Sequence, residues 1–460
     1  DGWRGGNNIE IVGNTIIGAN HMGIDTYAKQ SSIHENVISY VAVIELLNQA
    51  GMGCPTDSSG GVCTEDGDGI RLKVDKSADS GHSNAVYRNL IFGIGYNGID
   101  VFGSGNTFTN NRIIEACYSK GDCGAVRTFG GNSLSDTPVY NLTFQGNMLF
   151  NTIGNTDGCH TTYSAPFGFG LYIDHYSKDI VSTGNTITGS TSHGILYQDS
   201  TGQITNNTLY DNASGSAYAA QIALTGAPTF VSPMSGNVMY SLKTTAWTLS
   251  AADADRMANS NGNYFFNPYL PQHINVSGAK TLAEWQTFSG QDSNSVENWF
   301  QQSLGDDPLS TIFYNIFDTT TQIDLGGTQY LDLDQNPVVG TLILAPYTSQ
   351  ILIDNGPAAL TLFNISPSLM AVADAADFTL TLTGAGFTEN SIVRWNGADR
   401  PTTFVSATTL TAEISATDVD EVGSFSVTVY DPGPPEEETG AVMFWVVEEV
   451  WEVWLPVVGR

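Results

Sequence analysis

Four aspartates are placed to move protons: Asp68, Asp100, Asp122 and Asp174. Asp68 lies in Glu65-Asp66-Gly67-Asp68-Gly69, and Asp122 lies in Gly121-Asp122-Cys123-Gly124. Cations, rings and polar groups accompany them: Tyr27, Arg71, Lys73, Phe102, Arg127, Phe129, Tyr172, His175 and Gln198. Paired carboxyl groups about 5 Å apart suit retaining glycoside hydrolysis, and pairs roughly 6.5 to 9.5 Å apart suit inversion. Aromatic rings supply flat apolar faces on which sugars stack. Such chemistry needs residues far apart in the chain to meet on one surface, which limits the elements that could position them.

Repetition supplies such elements. Asn89, Gly98 and Asn111 follow one another at nine and thirteen residues, in the run NLIFGIGYNGIDVFGSGNTFTNN. Asn14, Gly23, Asn36 and Asn185, Gly194, Asn207 repeat the same 22-residue spacing. A period of that length marks a solenoid whose coils stack on one another. The Asn residues precede apolar triplets such as Thr15-Ile16-Ile17, and the Gly residues precede short alternating strands such as Ile24-Asp25-Thr26-Tyr27. Asn at a recurring turn stacks and hydrogen-bonds along the column. The spacing predicts an all-β chain that begins with a right-handed parallel β-helix over residues 1–270.

With the coils aligned on Asn and Gly, three of them carry insertions: Asn36 to Gly69, Asn111 to Ala125, and Asn147 to Gly170. Each insertion falls before the strand that follows the Gly, so the loops should form a wall along one edge. Side chains alternate across a strand. Ile24, Ile70, Ile99, Val126, Leu171 and Ile195 should therefore point inward, and Asp25, Arg71, Asp100, Arg127, Tyr172 and Leu196 outward. Two residues on, the outward column reads Tyr27, Lys73, Phe102, Phe129, Asp174 and Gln198, with His175 beside it. Adjacent coils are about 4.8 Å apart, which puts Asp100 between Arg71 and Arg127. Either this is a ladder of paired charges, or the arginines hold an aspartate ionised for use as nucleophile or base.

Asp and Glu number 47 against 16 Lys and Arg, a net charge of −31. Such a surface disfavours nucleic acid and other polyanions unless cations bridge them. No stretch is long and apolar enough to insert in a membrane. All five cysteines lie in the insertions. Cys54–Cys63 and Cys117–Cys123 are expected to form local disulfides, leaving Cys159 over, which points to an oxidising compartment and a secreted or cell-surface protein. The chain starts at Asp1 inside what reads as a coil, so a signal peptide and earlier coils are expected upstream.

Beyond the solenoid, residues 271–363 read as a short helical segment and a small β domain that caps its edge. Through Leu344-Ala345-Pro346-Tyr347-Thr348-Ser349 and Leu352-Ile353, this stretch is similar to the C-terminal β module of many glycan-acting enzymes. Residues 364–447 contain Ile365-Ser366-Pro367, Phe378-Thr379-Leu380-Thr381-Leu382-Thr383-Gly384-Ala385-Gly386-Phe387, Val393-Arg394-Trp395-Asn396-Gly397 and Gly423-Ser424-Phe425-Ser426-Val427-Thr428-Val429. This segment resembles the TIG (IPT) immunoglobulin-like family, which implies a seven-stranded sandwich. Residues 448–460 form a tail.

The repeat architecture resembles the pectate-lyase-like β-helix superfamily, which includes hydrolases and lyases. The Asp-Asp pair and Gly-His-Gly motif of polygalacturonases are absent, and Tyr172-Ile173-Asp174-His175 is faintly similar to an epimerase signature. The leading expectation is a glycoside hydrolase using Asp68, Asp100, Asp122 and Asp174 on a poly- or oligosaccharide, with no cofactor. A second is a calcium-dependent polysaccharide lyase or epimerase, with Arg71, Lys73 or Arg127 as base or charge neutraliser and Asp66, Asp68 and Asp100 as calcium ligands. A third is a non-catalytic surface or filament protein.

Overall fold

A computed structural model describes residues 6–43, 67–75, 79–154, 165–215 and 219–449. Cys54, Cys63, Asp66 and Cys159 lie outside the described residues. The chain divides into two compact units. The first is Asp1–Pro308 with Tyr314–Thr319 and Pro346–Gln350; the second is Leu309–Phe313 with Thr320–Ala345 and Ile351–Arg460.

The first unit is a parallel β-helix. Among the described residues its three sheets hold nine, ten and ten strands: nine coils give one strand to each sheet, and Val296–Glu297 and Ala279–Lys280 add one each to the second and third. The first sheet runs from Glu10–Val12 to Ser260–Asn261, the second from Thr15–Ile17 to Val296–Glu297, and the third from Ile24–Thr26 to Ile274–Val276. Among the described strands of these three sheets, only Ala279–Lys280, at the far edge of the third, pairs antiparallel. Parallel pairing therefore continues past residue 270, where the sequence period fades, because Tyr264 still pairs with Val296 across an intervening helix.

Ile24, Ile70, Ile99, Val126, Leu171 and Ile195 are all buried in one continuous apolar core, as the alternation requires. Their pairing is in register from coil to coil. The recurring Gly has a steric cause. A β-carbon on Gly98 would collide with the carbonyl oxygen of Ala125 and the side chain of Ile113.

The Asn column forms a hydrogen-bonded ladder. Asn89 donates its backbone N–H and its Nδ2 to Oδ1 of Asn111, at 3.2 and 2.9 Å. The same pair of bonds links Asn14, Asn36, Asn89, Asn111, Asn147, Asn185, Asn207, Asn237 and Asn263 in turn. Each inner Asn also gives Nδ2 to a backbone carbonyl, as Asn111 does to Val86 O at 2.9 Å. These amides are buried with their hydrogen-bonding capacity met, as a low-dielectric interior requires.

The ladder ends at a capped helix, Leu282–Ser289, with Thr281 and Glu284 forming a capping box and Gly290 in the left-handed conformation at its C-terminus. Asn263 Nδ2 donates to Asp292 Oδ1 at 2.9 Å, and Trp285 Nε1 donates to Asp292 Oδ2 at 2.8 Å. Trp285 and Leu282 are buried in the last turns of the core.

In the second unit, residues 361–447 form two facing sheets of four and six strands. Leu380, Leu382, Trp395, Leu410, Val427, Val429 and Phe444 fill the space between them. The strand total exceeds the seven expected because the short pairings at Leu369–Ala371, Ala398–Asp399 and Glu437–Glu438 add to the main ladders.

Candidate functional site

The inserted coils place the charged residues on the outer side of the third sheet. Asp25 pairs in register with Arg71, Arg71 with Asp100, Asp100 with Arg127, and Arg127 with Tyr172. Register alone thus brings residues from five coils into one column, and ion pairs join them. Arg71 contacts the Asp68 carboxylate and lies 3.5 Å from Asp100 Oδ2. Arg127 Nη1 is 3.9 Å from the same Asp100 oxygen, and its Nη2 is 3.3 Å from Asp174 Oδ2.

One expectation changes. The column was expected to be the surface of a walled groove, yet Asp68 and Asp100 are fully buried and Arg71 and Arg127 are only 5% exposed. Strand alternation says which side of the sheet a residue takes; it does not say what covers that side. Part of the cover is aromatic: the Arg71 guanidinium lies 5.8 Å from the Phe102 ring centre, and that of Arg127 lies 5.2 Å from Phe129. Lys73 is more open, pairing with Asp25 at 2.6 Å and lying over Tyr27 at 5.8 Å.

Asp68 is also built into a short ladder of its own. Asn97 donates its backbone N–H and Nδ2 to Asp68 Oδ1, both at 3.0 Å, and Gly124 N–H donates to Asn97 Oδ1 at 2.9 Å. Burial raises the Asp68 pKa above its ordinary value, while the Arg71 charge and the Asn97 donors act the other way. Both Asp68 oxygens are thus engaged, Oδ2 by Arg71 and Oδ1 by Asn97. Among the described residues, no three His, Cys, Asp or Glu side chains cluster as metal ligands.

The other end of the column is chemically different. The Cys117–Cys123 disulfide forms, with Cα atoms 6.0 Å apart. Directly before Cys123, Asp122 takes a left-handed turn (φ 55°) and stays half-buried. Tyr172 Oη donates to Asp122 Oδ1 at 3.2 Å, and the Asp174 carboxyl lies close enough for its charge to act on both groups. Burial pushes both the Tyr172 hydroxyl and the Asp174 carboxyl upward in pKa. For Asp174 the Arg127 charge opposes this, and the negative charge of Asp122 adds to it. His175 lies on the rim, its side chain 39% exposed, with Nδ1 3.1 Å from Asp199 Oδ2 and Nε2 3.1 Å from Gln198 Nε2. Phe129 meets the His175 ring edge-on at 6.2 Å.

Several members of this neighbourhood are not among the site residues expected from the sequence. Asp199 follows Gln198 in a left-handed turn (φ 49°), a place that marks no function by itself. Asn97 escaped notice as a ladder residue because its acceptor, Asp68, comes from an insertion. His193 accepts the Ala220 N–H on Nδ1 at 2.8 Å, and burial lowers its pKa to about 4, so it is neutral at physiological pH.

The raised Asp174 pKa has a consequence for stability. A carboxyl whose folded pKa exceeds its unfolded value contributes stability that is fully present below the unfolded pKa of 3.8 and is lost as pH rises through the folded value. Urea unfolding between about pH 3.5 and 7 should therefore show the native protein losing stability relative to Asp174→Asn as pH rises. Parallel stability curves for the two proteins would mean that Asp174 has an ordinary pKa.

No protein-family model matches the chain, and no curated protein matches it. Among solved structures, the chain is similar to the enzymatically active domain of bacteriophage CBA120 tailspike protein 2, at 10% identity and a TM-score of 0.33, over 97% of this chain and 69% of that one. It is also similar to the Dettilon tailspike protein, at 9% identity and a TM-score of 0.27, over 96% and 85%. A third is the receptor-binding domain of the Siphovirus 9NA tailspike, at 10% identity and a TM-score of 0.28, over 96% and 74%. No helix among the described residues is long and apolar enough to cross a membrane.

Proposed function

We propose that this is an extracellular glycoside hydrolase acting on a poly- or oligosaccharide, with Asp174 as general acid and Asp122 as nucleophile. The observation that carries this reading is the Tyr172 hydroxyl, which donates to Asp122 Oδ1 at 3.2 Å with the Asp174 carboxyl close by. Tyr172 has one proton to give, and it goes to Asp122. Burial and the nearby charge of Asp122 raise the Asp174 pKa, which suits the acid of such a pair, although the Arg127 charge opposes them.

In the first step the Asp122 carboxylate attacks the anomeric carbon, the glycosidic C–O bond breaks, and the departing oxygen takes the Asp174 proton. In the second, water attacks the glycosyl ester, gives its proton to Asp174 and releases Asp122. Arg127 holds Asp174 in place, and Asp100 with Arg71 and Asp68 holds Arg127. These are positioning residues rather than catalytic ones. His175, Gln198 and Phe129 would contact the sugar at the rim.

The lyase alternative has less support, because Arg71, Lys73 and Arg127 are each already paired with an aspartate. The C-terminal sandwich is proposed to be a TIG-like spacer or anchor. A panel of neutral and acidic glycans, assayed with and without chelator, tests the reading. Reducing ends should appear on at least one glycan, independent of chelator and without an unsaturated product. Chelator-sensitive release of unsaturated sugar would instead select the lyase, and no product from any glycan would select a non-catalytic role.

A further inference from the structure

A second cavity, of about 210 Å³, opens on the outer side of the second sheet, away from the charge column of the third. Glu35, Arg88, Arg112, Phe317, Asp318 and Tyr347 line it, and all belong to the first unit. Two of the chain's scarce cations therefore meet here, in a protein with 16 Lys and Arg against 47 acids.

Arg112 is the informative one. It lies in register between Leu90 and Met148, so the neighbouring coils give it no charged partner in the sheet. Its Nε is buried and has no hydrogen-bond partner. A buried donor left unsatisfied is costly, and a planar guanidinium is matched best by a carboxylate that takes two of its N–H groups at once. Arg71 and Arg127, by contrast, are both held by aspartates.

The backbone around the cavity is also unusual for its column. The residue before each ladder Asn takes a left-handed conformation: Gly13, Asn110, Gly146, Gly184, Asn206, Gly236 and Gly262. Gly and Asn tolerate that conformation. The exceptions are Glu35 and Arg88, both at φ 55°, and both line the cavity. Long charged side chains on unfavourable backbone suggest a use that outweighs the strain. Arg88 Nη1 and Glu35 Oε1 are 3.7 Å apart and about half exposed, a weak pairing that leaves both able to turn to a ligand.

We propose that this cavity binds a single acidic sugar residue, with its carboxylate on the terminal nitrogens of Arg112 rather than on the enclosed Nε. Glu35 and Asp318 would accept from the hydroxyls, and the exposed Phe317 ring would lie against a sugar face. The mixture of two guanidiniums and two carboxylates suits a ligand that is acid and polyol together. A bare anion would gain the arginines and meet the carboxylates as well. The volume is below the roughly 300 Å³ at which pockets for larger organic ligands begin, which limits the occupant to one ring.

The test is titration of the full chain with glucuronate, glucose and inorganic phosphate, followed by calorimetry or ligand-observed NMR. Glucuronate should bind, with glucose and phosphate at least tenfold weaker. Arg112→Gln, checked for native circular dichroism, should lose at least tenfold in affinity, and so should the surface variant Phe317→Ala. Equal binding of glucose, equal binding of phosphate, no binding of glucuronate, or unchanged affinity in both variants would each overturn the proposal. The measurement needs no turnover, and Asp174→Asn should leave it unaltered, so this site and the proposed catalytic pair can fail separately.

Discussion

Replacing Arg127 by methionine should cost the β-helix about 3–5 kcal/mol, the usual consequence of removing one partner from a buried ion pair. Arg127 faces Asp100 on one side and Asp174 on the other, and all three are at most 5% exposed. Methionine keeps most of the side-chain volume, so the loss would be of charge rather than of packing. Two carboxyl groups would then lie in a poorly solvated layer with one cation fewer. Chemical denaturation should show the shift in midpoint, with the slope little changed. The added substitution Asp100→Asn should recover part of the loss, giving a coupling of about 1–3 kcal/mol in a double-mutant cycle. A cost for Arg127→Met below about 0.5 kcal/mol would show that the column does not hold the coils together.

Asp174→Asn should lower kcat about 10³-fold, within the range typical of general acid catalysis and equal to about 4 kcal/mol of barrier. Asparagine keeps the shape and can still accept from Arg127, but it has no acidic proton to give the leaving oxygen. KM should therefore stay near its native value, as expected when an interaction acts in the transition state alone. The choice of leaving group separates chemistry from scaffolding. With an aryl glycoside whose phenol departs without protonation, the deficit of Asp174→Asn should shrink by tenfold or more. Asp122→Asn should stay inactive on both substrates, because the nucleophile is needed in either case. Retention of more than a tenth of native kcat by Asp174→Asn on an unactivated glycan would remove it from the role of acid.

The scaffold could be read from the chain because its rules are local and periodic. The 22-residue spacing set the Asn ladder, and strand alternation set which of Ile99 and Asp100 enters the core. The site was only partly legible. The columns put Asp100 beside Arg71 and Arg127, but the burial of that column depends on what lies over it, which no period encodes. Asp122 meets Tyr172 across 50 positions, from a loop whose path is irregular. Arg112 was invisible as a candidate, since it occupies an ordinary outward position in a regular coil. Its significance lies in the Tyr314–Thr319 and Pro346–Gln350 segments, which return to the first unit much later in the sequence. The end of the solenoid was set too early for a similar reason: the helix Leu282–Ser289 interrupts the period, and the strand Val296–Glu297 then resumes the pairing.

The Asn ladder has a direction. Each side-chain amide turns its oxygen toward the preceding coil and its NH₂ toward the next, so the amide dipoles from Asn14 to Asn263 all point the same way and add. Aligned amides polarise one another, by an estimated ~10–30% per bond. The positive pole of this array falls at the C-terminal end of the coils, where the Asp292 carboxylate receives it. The stack is thus electrically polarised along its axis, with a negative charge at the pole that attracts it, much as an acidic residue sits at the start of an α-helix.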